Sequence, residues 1–499
     1  MKLPTGDMLP FLGGEALREV RELGDIVMYP RSTVDGKGIS FFLGRKGKEK
    51  LLGVRASSEG ALAPFQGETV PTKEGVLKLC PLTHGNAIAL REALPQFRPR
   101  PSGLRTSAGL GDRLGLATPG HVRAVRGTGL FPVLAQQSIR EMSRTGRTPE
   151  QVLDDATWGA LQEGWTEGFG ADADHLKTQD DIDACVRAGF VMYTVDPSVY
   201  VDDSVESDDL ETLAAKYEAL PWDELEITPQ DLRRTYCGRR FRAGTFTFTL
   251  TEEAFLRAAV KYGRAIAHTV KMYRHLADRA EEFEFEVSID ETSSPTEPEE
   301  HLFVSLELTR LGVQWTSLAP RFIGRFEKGV DYIGDLDAFR NQFRRHVAVA
   351  KEFGPYKLSI HSGSDKFSIY PIVAEEAEGL VHLKTAGTSY LEALRAVSEL
   401  SLDLFREILA LALERYPQDR ASYHVSADPS RIPDPEAVNH DVLKGLLDDF
   451  HGRQVLHVTY GSVLKKFGNR LREALKEGEE VYYGMLERHM RKHLAPFAR

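Results

Sequence analysis

The chain has 499 residues, enough for one large barrel-type domain with additions or for about three ordinary domains. Hydrophobic residues make up 41% and charged residues 27%, ordinary globular values, and the formal charge of -11 argues against a nucleic-acid surface, which needs a clustered basic face. Only three cysteines occur, Cys80, Cys185 and Cys237, with no CxxC; that suits a reducing compartment and leaves any metal to His, Asp and Glu.

In chain order, the amino terminus MKLPTGDMLPFLGGEALREV has one lysine and an apolar stretch broken by Pro, Gly and Asp, so it fails as a secretory signal. No uncharged run nears the roughly 18 to 20 residues of a bilayer span, and the reading is a cytoplasmic protein with no membrane partner. Residues 1–100 read as a small β-rich appendage. DIVMYP, GISFFLGRK, EKLLGVRAS and GVLKLCPLT look like strands separated by the turn chemistry of DGKG and TKEG, and PQFRPRPSG marks a boundary.

Residues 101–395 alternate short apolar segments with helical ones. The candidate strands are TSAGLGDRL, LFPVLAQQS, GFGADADHL, GFVMYTVDP, FEFEVSIDE, VQWTSLAP, YKLSIHSGSD and GLVHLKTAG. Helical periodicity runs through EEAFLRAAVKYGRAIAHTVKMYRHLADRA and FRNQFRRHVAVAKEFG, and in TEPEEHLFVSLELTRLG Thr296 is the expected cap. Strands alternating with helices predict an α/β fold, a (β/α)8 TIM-type barrel, with a doubly wound sheet as the alternative. Residues 396–499 read as a mostly helical extension packed on the barrel. The stripe in SYLEALRAVSELSLDLFREILALALERY is core or subunit interface, which leaves a homo-oligomer open, while ASYHVSADPS and QVLHVTYGS compete as extra strands.

A barrel brings the carboxyl ends of its strands to one mouth, and the polar clusters of this sequence sit at those ends. His175, Asp290, His361 and His382 are a candidate metal set, with Asp174 or Glu291 as a substitute, because catalytic sites accept imidazole and carboxylate donors and keep a position open. Any one histidine at a strand end is more often a hydrogen-bonded structural residue than a ligand. Lys177, Lys366 and Lys384 are candidate electrophiles or bases, and Lys384 sits in an apolar run where an idle charge is costly. GLGDRLG, Gly109 to Gly115, has the wrong spacing for a dinucleotide fingerprint, so no nicotinamide is expected, and neither a Walker motif nor GxSxG occurs.

The stretches GFGADADHLKT, GLGDRLGLATPGH, FPVLAQQSIREM, LDDATWG, SLAPRFIGRFEKGVDYIGDL, LSIHSGSDKFSIYP and HLKTAGTSYLEALR together resemble the tagaturonate epimerase family, from about Arg105 to about Arg395. The resemblance implies a metal-dependent enzyme interconverting tagaturonate and fructuronate, with tagatose and fructose as relatives' substrates and zinc, manganese or nickel as the metal. Its small-molecule substrate is a keto-uronate or ketose.

These sugars differ at C4, one carbon beyond the position a C2 ketone acidifies, so enolisation does not reach it; inversion is expected to run through retro-aldol opening of the C3–C4 bond, with transient hydride removal from C4 by a bound nicotinamide as the less favoured route. On that scheme His175, Asp290, His361 and His382 hold the metal, Asp174 and Glu291 carry protons, and Lys177 and Lys384 face the enolate oxygen. Arg321 and Lys366 pair with the substrate carboxylate, and Gln136 and Ser364 bond hydroxyls. The rival readings are a barrel glycoside hydrolase with a carboxylate pair and a catalytically silent sugar-binding protein.

Overall fold

The computed structural model describes residues 26–72 and 75–498. The amino-terminal stretch tested as a signal and part of the TKEG turn, Lys73 and Glu74, lie outside the described residues.

Eight parallel strands close into a barrel in sequence order, each hydrogen-bonded to the next and the last to the first. They are β1 (Ser107–Gly109), β2 (Phe131–Ser138), β3 (Gly170–Leu176), β4 (Met192–Val195), β5 (Glu284–Ile289), β6 (Ser317–Pro320), β7 (Lys357–Ile360) and β8 (Val381–Lys384). All eight fall within the segments expected to be strands, and the closed ring excludes the doubly wound sheet.

Alternation along the strands explains the unusual interior. In β5 Phe285, Val287 and Ile289 join the apolar shell between sheet and helices, so Glu284, Glu286 and Ser288 face the barrel axis. The same parity turns Asp172 and Asp174 of β3, His382 and Lys384 of β8, and Lys357 and Ser359 of β7 inward. Barrel interiors usually hold branched apolar side chains in layers. Here the layers are ionic. At the bottom Lys357 donates to Ser102 (2.6 Å) and Ser107 (3.0 Å), and Ser102 in turn to Glu284 (2.9 Å).

Helices follow each strand, several started by reciprocal side-chain caps: Ser138 with Glu141 opens Ile139–Thr145, and Thr178 with Asp181 opens Gln179–Ala188. The helix Pro298–Arg310 departs from expectation at its cap, which is Glu297 paired with Glu300. Thr296 instead accepts the Arg321 amide at 3.0 Å and ties the β5 and β6 loops together. In the GLGDRLG loop, Asp112 accepts the amides of Leu114, Gly115 and Ala117, a local turn rather than a cofactor cradle.

Before the barrel, Ile39–Lys46, Glu49–Ala56 and Gly75–Pro81 are central to a six-stranded antiparallel sheet completed by Ile26–Met28, Val34–Gly36 and Glu68–Thr72. After it the chain is mostly helical through Leu494, and the expected divide between 395 and 396 falls inside the helix Thr388–Leu400. The amphipathic stripe forms this helix and Leu402–Asp419, and its Leu394, Val397, Phe405, Ile408 and Leu409 are core. Neither extra strand forms. QVLHVTYGS lies across the helices Phe450–Val458 and Tyr460–Glu477, where Val455, Leu456, Val458 and Val463 bury against that core, so packing overrides β-branched propensity. ASYHVSADPS is irregular apart from short 3-10 turns. No helix among the described residues is long and apolar enough to cross a membrane.

The last long helix, Glu479–Leu494, docks on Thr118–Val125 at Gly120, where an added methyl would lie 2.7 Å from Leu486 Cβ. Gly120→Ala is expected to destabilise the fold by about 1–3 kcal/mol through overpacking. A urea midpoint unchanged from the parent would contradict this close approach.

Candidate active site at the barrel mouth

The carboxyl ends of the strands surround a cavity of about 390 Å³ lined by Gln136, Asp174, His175, Asp290, Glu291, Arg321, His361 and Lys384, among others. Its floor is organised by one amine. Lys384 Nζ, from the end of β8, meets Asp172 Oδ2 at 2.8 Å, Asp174 Oδ1 at 2.7 Å, Glu286 Oε1 at 2.8 Å and Thr194 Oγ1 at 2.7 Å. Burial opposes the charge, yet the three carboxylates hold this lysine well above its usual range. Reciprocally, burial would raise Glu286 and Asp174, but Lys384 with His361 keeps Glu286 ionised, and His175 with Lys384 does so for Asp174. Asp172 is the exception: burial pushes it up to about 6, only partly offset by Lys384.

Above this layer two imidazoles sit among carboxylates. His361 Nε2 is 2.7 Å from Glu286 Oε1 and its Nδ1 is 3.1 Å from Asp290 Oδ1. Despite burial, Asp290 lifts His361 to about 10. His175 Nδ1 lies 2.8 Å from Asp174 Oδ1, and its Nε2 is 4.0 Å from Asp290 and 3.8 Å from Glu291. Against burial, Asp174 raises this histidine as well. Its backbone has φ of +53°, a left-handed conformation that a non-glycine residue adopts at a cost, here turning the ring toward His361, 5.0 Å away between centroids.

Imidazolium held by surplus carboxylate is a charge pattern that a divalent cation fits, since the cation replaces the protons. One donor atom each from Asp174, His175 and His361 lie within 4.8 Å of one another. The oxygen and nitrogen donors suit zinc, manganese or nickel. An overlapping set, His175, Asp196 and Glu291, lies toward the rim, where Lys177 Nζ already occupies Asp196 at 3.0 Å. A third, Asp365, His489 and His493, lies elsewhere and is neutralised by Arg453, 2.9 Å from Asp365.

Of the residues expected from sequence, His175, Asp290 and His361 therefore meet, and Asp174 joins them. His382 stands apart. It is mid-strand and buried below the cavity, its Nδ1 2.9 Å from Ser107 Oγ, and burial keeps it well below its usual range. Asp290 and Glu291 both reach the cavity because β5 ends at Ile289, which frees the following residues from strand alternation. Glu291 is exposed and paired with Arg140 at 2.8 Å. Gln136 donates to Asp174 and leaves its buried Oε1 without a partner among the described residues.

Lys366 and Ser364 do not line the cavity. Lys366 Nζ is buried against the carbonyls of Glu327, Val330 and Ser364, which fastens the β6 and β7 loops, and Ser364 Oγ donates to the Ala386 carbonyl. Arg321 lines the cavity, and its guanidinium has no hydrogen bond or ion pair among the described residues, within the field of Asp203 and Asp290.

Asp172, Glu286, Arg140, Lys328, Tyr423 and His424 were not singled out by sequence. Asp172 and Glu286 carried a signal, since acids at alternate positions of GADADHL and FEFEVSID share the inward face. Tyr423 and His424 carried none. They reach the cavity from the carboxyl-terminal helical region, held by Glu327, which accepts from Ser426 Oγ (2.7 Å) and Gln454 Nε2 (2.7 Å).

A family model described as tagaturonate epimerase matches residues 29–497. The chain is 45% identical over 472 residues to the tagaturonate/fructuronate epimerase of Thermotoga maritima, covering 94% of this chain and 96% of that protein. It superposes with a TM-score of 0.90 and 37% identity on crystal structures of the fructuronate-tagaturonate epimerase UxaE from Cohnella laeviribosi, native and with one glycerol, over 97% of this chain and 98% of that one. The chain belongs to the tagaturonate epimerase family and is an epimerase acting on carbohydrates.

Proposed function

We propose that this chain interconverts D-tagaturonate and D-fructuronate by inverting C4 through retro-aldol cleavage and re-addition. The observation that carries the reading is the meeting of Asp174, His175, Asp290 and His361 over a floor of ionised carboxylates in one closed barrel mouth. Removal of the C4 hydroxyl proton turns that carbon into an aldehyde. The C3–C4 bonding pair moves to C3 and is delocalised onto the C2 oxygen as an enolate. Rotation about C4–C5 presents the other aldehyde face, and the steps reverse with C4 inverted.

His175, His361 and Asp174, with Asp290 against both rings, would hold the divalent cation, and a cation there supplies Lewis-acid stabilisation for charge on the C2 oxygen. Glu291 is the proton carrier best placed for substrate, since it lines the cavity and is exposed, whereas Asp174 is committed to Lys384, His175 and Gln136. Lys384 has spent its donors on Asp172, Asp174, Glu286 and Thr194, so it positions the carboxylates rather than meeting the enolate itself. Lys177 lies outside the cavity lining. Gln136 Oε1 accepts a substrate hydroxyl. Arg321 offers a guanidinium at the rim. Tagatose and fructose share the C2–C4 arrangement, so the same floor serves them, and preference between uronate and ketose rests on what meets C6.

Incubation with D-fructuronate is expected to give tagaturonate by NMR, with activity lost on exhaustive chelation and restored by zinc, manganese or nickel at ~1 ion per chain. Full turnover after chelation would contradict the metal assignment. Lys384→Met strands three buried carboxylates and is expected to cost about 3–5 kcal/mol of stability together with turnover. A urea midpoint and rate like the parent's would show that the amine does not organise the floor.

A further inference from the structure

Where β7 and β8 end, backbone donors collect without acceptors. The helix Thr388–Leu400 begins at Gly387, φ +98°, with no side-chain cap. The amides of Gly387, Thr388 and Ser389, all buried, find no acceptor among the described residues. Buried amides are almost always paired, and a helix start carries the positive end of its dipole.

Two buried side chains add to this demand. Arg113, 5% exposed, commits Nε and Nη2 to Glu141 and leaves Nη1 unpartnered. His457, 1% exposed, has neither ring nitrogen bonded, and a methyl added at Gly387 would collide with its Nε2, so the ring sits directly on the helix start.

The main cavity reaches Ala386, the residue before this helix start. Lys328, Ser362 and Ala386 all line it, and Lys328 Nζ donates to Ser362 Oγ at 2.6 Å. Ser362 is held at φ +50°, a strained turn immediately after His361. One carboxylate already lies close: Asp365 accepts the Thr388 hydroxyl at 3.3 Å, but Arg453 at 2.9 Å and His489 at 2.6 Å meet its charge, and it takes none of the amides.

We propose that this corner is an oxyanion subsite for the C6 carboxylate of the keto-uronate, with Lys328, the Ser362 hydroxyl and the amides that open Thr388–Leu400 as donors. The inference rests on the epimerase reading and fixes the direction of the substrate. Its carboxylate lies between β7 and β8, and its carbon chain runs past His361 toward Gln136. Barrels of this architecture often place phosphate in the loops after strands 7 and 8, so inorganic phosphate is the other source of the same chemistry.

Calorimetric titration of D-fructuronate, D-fructose and inorganic phosphate separates these. The metal-loaded parent is expected to bind fructuronate at least about tenfold more tightly than fructose, as a charge-assisted contact allows. Lys328→Met should erase that preference, Lys328→Arg should restore most of it, and Arg321→Met should keep it, with circular dichroism confirming the fold of each. Retention of the preference in Lys328→Met, or its loss in Arg321→Met alone, would overturn the assignment. So would phosphate binding without any preference for fructuronate over fructose. Loss of epimerisation with this binding pattern intact would sink the catalytic reading and leave the subsite standing.

Discussion

The site depends on a buried ammonium shared by three carboxylates. Lys384 sits inside the closed sheet, 3% exposed at its side chain, with Asp172, Asp174 and Glu286 around it. Removing four charges from water is expensive, and only near-complete pairing makes it tolerable. The arrangement holds Asp174 and Glu286 ionised under the two imidazoles, so the floor keeps its negative charge without solvent. A layer of branched apolar side chains would stabilise the barrel as well, but it would present nothing to a cation or a sugar.

Much of the architecture was legible because local patterns agreed with the fold. Eight segments such as GFVMYTVDP and VQWTSLAP are short, apolar and bounded by turns, and each became a barrel strand. The candidate site was legible where side chains sit at or just past strand ends, as with His175, Asp290 and His361. It was misread where a loop folds back. Lys366 looked like a mouth residue in SGSDKF, yet the turn after Ser362 points it into three carbonyls. His382 lies two residues too early in β8 and stays below the cavity. Distant contributions left no local trace: Tyr423 and His424 reach the mouth only because Glu327 grips Ser426 and Gln454, a contact between segments about a hundred residues apart.

The carboxyl-terminal helices are therefore part of the site rather than a covering. Asp365 in the β7 loop is held by His489 and Arg453, and Lys366 beside it fastens the β6 loop. Residues that line the cavity thus rest on loops fixed by packing across the molecule. That rigidity suits the proposed retro-aldol route, in which a cleaved aldehyde would have to rotate without escaping.

Retro-aldol inversion, as proposed, breaks a carbon–carbon bond at C4 while the C4 hydrogen stays in place. Conversion of D-[4-²H]fructuronate in ordinary water, followed by NMR, tests it most directly. Carbon–carbon cleavage predicts tagaturonate with deuterium fully retained at C4 and no primary isotope effect on the rate. Washout of the label, or a primary isotope effect from C4–H cleavage, would contradict it.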